Sequence, residues 1–186
     1  MKTHTTLAKV IHWTFTLLYA YGIFKQVDDL NELEDASLLN FEILFATVFL
    51  IIVLFRYFYM KDTPTLLGAH ESLSKGHLLI AKTVHRLVYF SLIMLPTTGL
   101  LIASLFNLGM GGIDVAIALH EFSAFLSYLV IALHVGASLY SRFKGEGMWN
   151  SMVPVWQESG RKESNLITKL EVIEKKVYNK VEDTFT

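Results

Sequence analysis

Four histidines lie inside long apolar stretches of this chain: His12, His85, His120 and His134. An ionisable ring in hydrocarbon is costly, and such residues mark functional sites. His120 and His134 stand fourteen residues apart in one stretch. On a helix that separation advances about 21 Å and nearly completes four turns, so both rings face one side at different depths. The spacing suits two metal centres stacked across a bilayer. It does not suit a mononuclear zinc ion, and the run His120-Glu121-Phe122-Ser123-Ala124 lacks the second histidine of the zinc-protease helix. The chain has no cysteine. That removes disulfides, iron–sulfur clusters, thiolate-ligated haem and covalently attached haem, and leaves histidine as the ligand. Two neutral imidazoles suit a six-coordinate, low-spin b-type haem. The other histidines, His4, His70 and His77, read as solvated residues of a tail and a loop.

The elements that must carry these rings follow from hydropathy. Apolar residues make up 53% of the chain and charged residues 18%, and most of the charges fall outside four apolar stretches: 7–24, 38–60, 78–106 and 115–140. Each approaches or exceeds the roughly 18–20 residues that cross about 30 Å of hydrocarbon as a helix. No alternating strands of barrel type are visible. The expected fold is an all-α integral membrane four-helix bundle, residues 1–154, followed by an amphipathic helical tail, residues 155–186. The first stretch begins like a signal peptide but is too long for one, and reads as a retained anchor. Pro96 should kink the third helix. The glycines at 109, 111 and 112 lack a following Gly-Lys-Ser/Thr and read as a turn. In the tail, Leu166, Leu170, Ile173, Val177 and Val181 recur at helical spacing among lysines and glutamates. That stripe is expected to lie on the membrane or on the protein's own cytoplasmic face, with pairing to another helix as the alternative.

Orientation comes from the basic residues. With a cytoplasmic N-terminus, Lys25 is the single outside member of the sixteen lysines and arginines, which leaves fifteen inside. The loop 25–37 is acidic instead. The positive-inside rule therefore places both termini in the cytoplasm. With a net charge of −1 and no basic stripe, nucleic acid is not expected as a partner. Depth then sorts the histidines. His12, His85 and His134 fall in the inner half and His120 in the outer half, so His134 has two possible axial partners, His12 and His85. Arg56 and Arg86, at inner helix ends, either pair with haem propionates or simply set topology.

The segments Ile11-His12-Trp13, His85 with Leu95-Pro96-Thr97-Thr98-Gly99-Leu100, and Leu119-His120-Glu121 through Leu133-His134 resemble the bacterial cytochrome b561 group and its relatives, the cytochrome b subunits of hydrogenases and formate dehydrogenases. The likeness covers residues from about 5 to 154. It implies an inner haem b held by His12 and His134, and an outer haem held by His120 and a histidine early in the second helix. This sequence departs from that pattern: the corresponding place is at or beside Glu42. One tightly bound haem is expected, with the outer region empty or weakly occupied. His120 and Glu42 would then bond each other or line a proton or quinone site. The resemblance further implies electron exchange with quinone in the bacterial inner membrane, as a respiratory component serving a dehydrogenase or another redox partner. Two alternatives are a self-contained superoxide/quinone oxidoreductase and a haem-free membrane scaffold.

Overall fold

A computed structural model describes residues 4–27, 29–64, 73–162 and 164–185. Lys2, Asp28, Gly68 and His70 lie outside the described residues. Among the described residues the chain forms six α-helices and no strand. These are α1 (Thr6–Phe24), α2 (Ala36–Met60), α3 (Lys75–Asn107), α4 (Ile113–Lys144), α5 (Met148–Met152) and α6 (Asn165–Phe185), with a short 3-10 turn, Leu30–Glu34, before α2. The four apolar stretches map onto α1 to α4, and α3 continues through Pro96.

Three of these helices, α2, α3 and α4, are long and apolar enough to cross a membrane. With 33 and 32 residues, α3 and α4 run for about 50 and 48 Å, well beyond the hydrocarbon thickness. Sequence reading expected a fourth span. At 19 residues α1 reaches about 28 Å, close to the hydrocarbon thickness.

The chain falls into two compact units. The unit of Val10–Asp62 and Val88–Leu129 buries small polar residues beside apolar ones and turns large apolar side chains outward. Ser91, Thr98, Ser123 and Ser127 are buried, together with Ala103 and Ala116, while Leu44, Ile51, Phe55 and Phe58 are exposed. Small residues let helices approach closely, and large apolar side chains facing out are what a lipid environment selects. The loop before α2 is ordered by Asp29, which caps the 3-10 turn in a capping box with Glu32. Leu33 of that turn is buried with Leu39 and Ala103.

The other unit comprises Met1–Lys9, Thr63–Leu87 and Val130–Thr186. Here the expectation of a solvated His4 is corrected. His4 is buried, and its backbone N–H donates to the carbonyl of Ser151, at 3.3 Å. His77 is half-buried in the first turn of α3, its ring 4.6 Å from that of Tyr178. The chain after α4 is held by Arg142. Its Nε donates to the Trp156 carbonyl at 2.9 Å, Nη2 donates to the Gln157 carbonyl at 3.2 Å, and the guanidinium lies 3.5 Å from the Trp156 ring centre.

Candidate functional site

The four apolar-stretch histidines are all half-buried in helices: His12 on α1, His85 on α3, and His120 and His134 on α4. The tautomers of two follow from their hydrogen bonds. Nδ1 of His85 lies 2.7 Å from the carbonyl of Ala81, one turn earlier. A carbonyl only accepts, so Nδ1 carries the proton and the lone pair is on Nε2. His120 reaches the same state through a hydroxyl. Nδ1 is 3.0 Å from Oγ1 of Thr98, and that hydroxyl directs its single proton to the carbonyls of Met94 and Leu95. With that proton on the helix carbonyls, His120 donates from Nδ1, which again places the lone pair on Nε2. An imidazole oriented this way by its other nitrogen has the donor chemistry of an iron ligand. Gly99, next to Thr98, faces this ring, and a Cβ there would make an ordinary contact with Cε1 of His120, at 3.5 Å.

Within one unit, the rings of His85 and His134 lie 5.1 Å apart and nearly perpendicular, at 79°. In the other, the ring of His12 is flanked edge-on by Trp13 at 5.7 Å and Phe15 at 5.3 Å. Hydroxyls one turn on, Thr16 and Ser138, donate to the backbone carbonyls of His12 and His134. Arg56 is buried and lies 5.2 Å from the centre of the Phe15 ring, whereas Arg86 is exposed. Among the described residues, no three His, Asp or Glu side chains converge as a metal-ion cage would require.

Glu42 does not meet His120. It forms a salt bridge with Lys25, and His120 has Thr98. An acid committed to a lysine is an even poorer haem ligand than a lone one. Two further polar contacts had no counterpart in the sequence reading. The hydroxyl of Ser127 donates to the carbonyl of Ala124, so in its 2.7 Å contact with Tyr19 the tyrosine is the donor. Gln26 donates to the hydroxyl of Tyr128 at 2.8 Å. Thr98 had a signal, since it sits in the quoted Leu95–Leu100 segment just after the proline. Tyr19 and Ser127, more than a hundred residues apart, had none.

A family model described as prokaryotic cytochrome b561 matches residues 3–155. No curated protein and no solved structure matches the chain. The match takes in all four helices that carry or adjoin the histidines, and the chain thus belongs to the prokaryotic cytochrome b561 family, membrane proteins that carry electrons on b-type haem.

Proposed function

We propose that this chain is a bacterial inner-membrane electron carrier. It holds one b-type haem on His12 and His134 and exchanges electrons with the quinone pool as a respiratory component. The haem-bearing part is residues 1–154, with α1 to α4 as four spans and both termini cytoplasmic. The observation that carries this reading is the histidine set. Imidazoles stand in apolar helices, and the Nδ1 of both His85 and His120 is tied to an acceptor so that Nε2 bears the lone pair. When bound, haem supplies one-electron chemistry at a potential set by its axial ligands and surroundings. The chain's own residues orient the imidazoles, exclude water and present Arg56 as a buried cation suited to a carboxylate such as a propionate.

One haem per chain is favoured because Glu42, at or beside the place where the resemblance implies a histidine, is held by Lys25. His120 keeps a ligating tautomer there, so the outer region binds a second macrocycle weakly if at all. A specific observation favours a second axial arrangement: His85 lies beside His134 with Nε2 as its ligating nitrogen. The test is a reduced pyridine haemochrome spectrum on the wild type and on His12→Ala, His134→Ala and His85→Ala. Loss of haem in the first two variants and retention in the third supports the His12–His134 pair. Haem lost from His85→Ala and kept in His12→Ala moves the ligand to α3. Two low-spin haems per wild-type chain reject the single-haem reading. Turnover by the purified chain with superoxide and quinone, without a partner, would favour a self-contained oxidoreductase over a carrier serving a dehydrogenase.

A further inference from the structure

Helix α6 has two faces with different tasks. Ile167, Glu171, Glu174 and Tyr178 recur at spacings of four, three and four, and they turn toward the chain. Ile167 is buried. Glu171 accepts from Arg161 at 2.9 Å, and Glu174 accepts from Lys144 at 2.9 Å and from the Tyr140 hydroxyl at 3.2 Å. The Tyr178 ring meets His77, and its backbone carbonyl lies against Gly76. These contacts cover about three turns of α6. They reach the last turn of α4 and the first turn of α3, so α6 lies across the ends of two candidate membrane spans.

The apolar stripe is on another face. Leu166, Leu170, Ile173 and Val177 are 65, 40, 57 and 46% exposed. Lys169, Lys176 and Lys180 are exposed too. Each is three or four residues from a member of the stripe and lies on the side away from Glu171 and Tyr178, where its ammonium can flank the apolar side chains. The glutamates nearest the chain are already engaged by Arg161 and Lys144, so the face that remains is apolar with a cationic edge.

We infer that this face seats in the surface of an anionic leaflet, so that α6 straps the ends of α3 and α4 to the lipid headgroups. Its place at the ends of the spans sets the depth, and its charge selects the lipid. The inference rests on the membrane reading and not on the haem ligands.

The chain has no cysteine, so single-cysteine variants of the whole protein give clean labelling. Ile173→Cys and Leu166→Cys probe the stripe, and Asn179→Cys is the control on a different face. Each is labelled with an environment-sensitive fluorophore and reconstituted with phosphatidylglycerol or with phosphatidylcholine alone. In phosphatidylglycerol, the labels at 166 and 173 are expected to shift to the blue and to be quenched by shallow nitroxide lipids, while the label at 179 stays aqueous. Replacing Lys169, Lys176 and Lys180 by Gln should weaken seating about fivefold per lysine, from the attraction of each basic side chain to an anionic surface. Labels at 166 and 173 as open to an aqueous quencher as the one at 179 would overturn the inference. So would disulfide formation between two copies of Ile173→Cys, which would make a second chain the cover. The haem absorbance of the same samples reports on the proposed function separately.

Discussion

Replacing Gly76 by alanine should release α6 from the rest of its unit. A Cβ at this position overlaps the backbone carbonyl oxygen of Tyr178, and it comes within 2.9 and 3.1 Å of that residue's carbonyl carbon and Cα. Backbone atoms cannot rotate aside as a side-chain tip can, so α6 must shift by about an ångström or more to restore contact distance. The shift weakens what docks the helix. The Lys144–Glu174 ion pair, with side chains 13 and 15% exposed, contributes about 1 kcal/mol. The His77–Tyr178 ring contact adds about 0.5–1.5 kcal/mol, and the Tyr140 hydrogen bond about 1 kcal/mol. The shift weakens these contacts without abolishing them, so about 2 kcal/mol of docking is lost, or roughly a thirtyfold rise in the undocked population. Undocked, a helix of this length is marginal in water, and trypsin gains access to Lys175 and Lys176. Limited proteolysis of wild type, Gly76→Ala and a chain truncated after Gly160 measures this. Gly76→Ala should be cut about thirtyfold faster than wild type, and its haem absorbance and that of the truncated chain should match the wild type. A Gly76→Ala protein cut at the wild-type rate would refute the packing argument.

Tyr178 gives the same docking a pH dependence. Burial, then the neighbouring Glu174 carboxylate, raises its pKa above the ordinary value of 10.0. With the folded value above the unfolded one, its contribution is fully present below pH 10 and is lost as pH rises through the folded value. Protease access to α6 should therefore increase above about pH 10, and less so in Tyr178→Phe. Arg142→Lys cannot keep both carbonyl hydrogen bonds and the stack on Trp156. It should cost about 2 kcal/mol, with a red shift in tryptophan emission, because Trp156 is held at φ 52°, a strained backbone for a non-glycine residue. Lys25→Met leaves Glu42, about a quarter exposed, without its cation. It should lower thermal stability by about 1–3 kcal/mol, and Glu42→Gln in the same chain should restore part of it.

Long-range polar pairing, more than helix position, separates what the sequence reveals from what it hides. The apolar stretches located α1 to α4 because a run of that length has one low-energy conformation in lipid. The histidines on them were legible for the same reason, since their cost in that setting is visible residue by residue. The apolar stripe of the tail was legible as periodicity, and α6 forms where it was expected. Which face of α6 meets the chain was not. The packing face is made of Glu171, Glu174 and Tyr178, and nothing in the tail's periodicity sets these apart until Arg161, Lys144 and His77 are brought to them. His4 is hidden in the same way: it is buried, and its backbone N–H is bonded to Ser151, far along the chain. The partner of Glu42 was nearby in sequence, at Lys25, but the acid was weighed only against His120.

The hydroxyl groups of the long helices have a consequence for biosynthesis. Thr16, Ser91, Thr97, Thr98, Ser104, Ser123, Ser127 and Ser138 each direct a proton to a carbonyl three or four residues earlier in the same helix. A nascent segment leaving the insertion machinery thus satisfies these donors alone, before any neighbour has been made, and enters lipid without unpaired hydroxyl protons. What each helix keeps for its neighbours is lone pairs: the Ser127 oxygen awaits the phenol of Tyr19, and the Thr98 oxygen awaits the imidazole of His120. Insertion can then precede association, with helix-to-helix recognition and the setting of the His120 tautomer following as later steps on segments already in the bilayer.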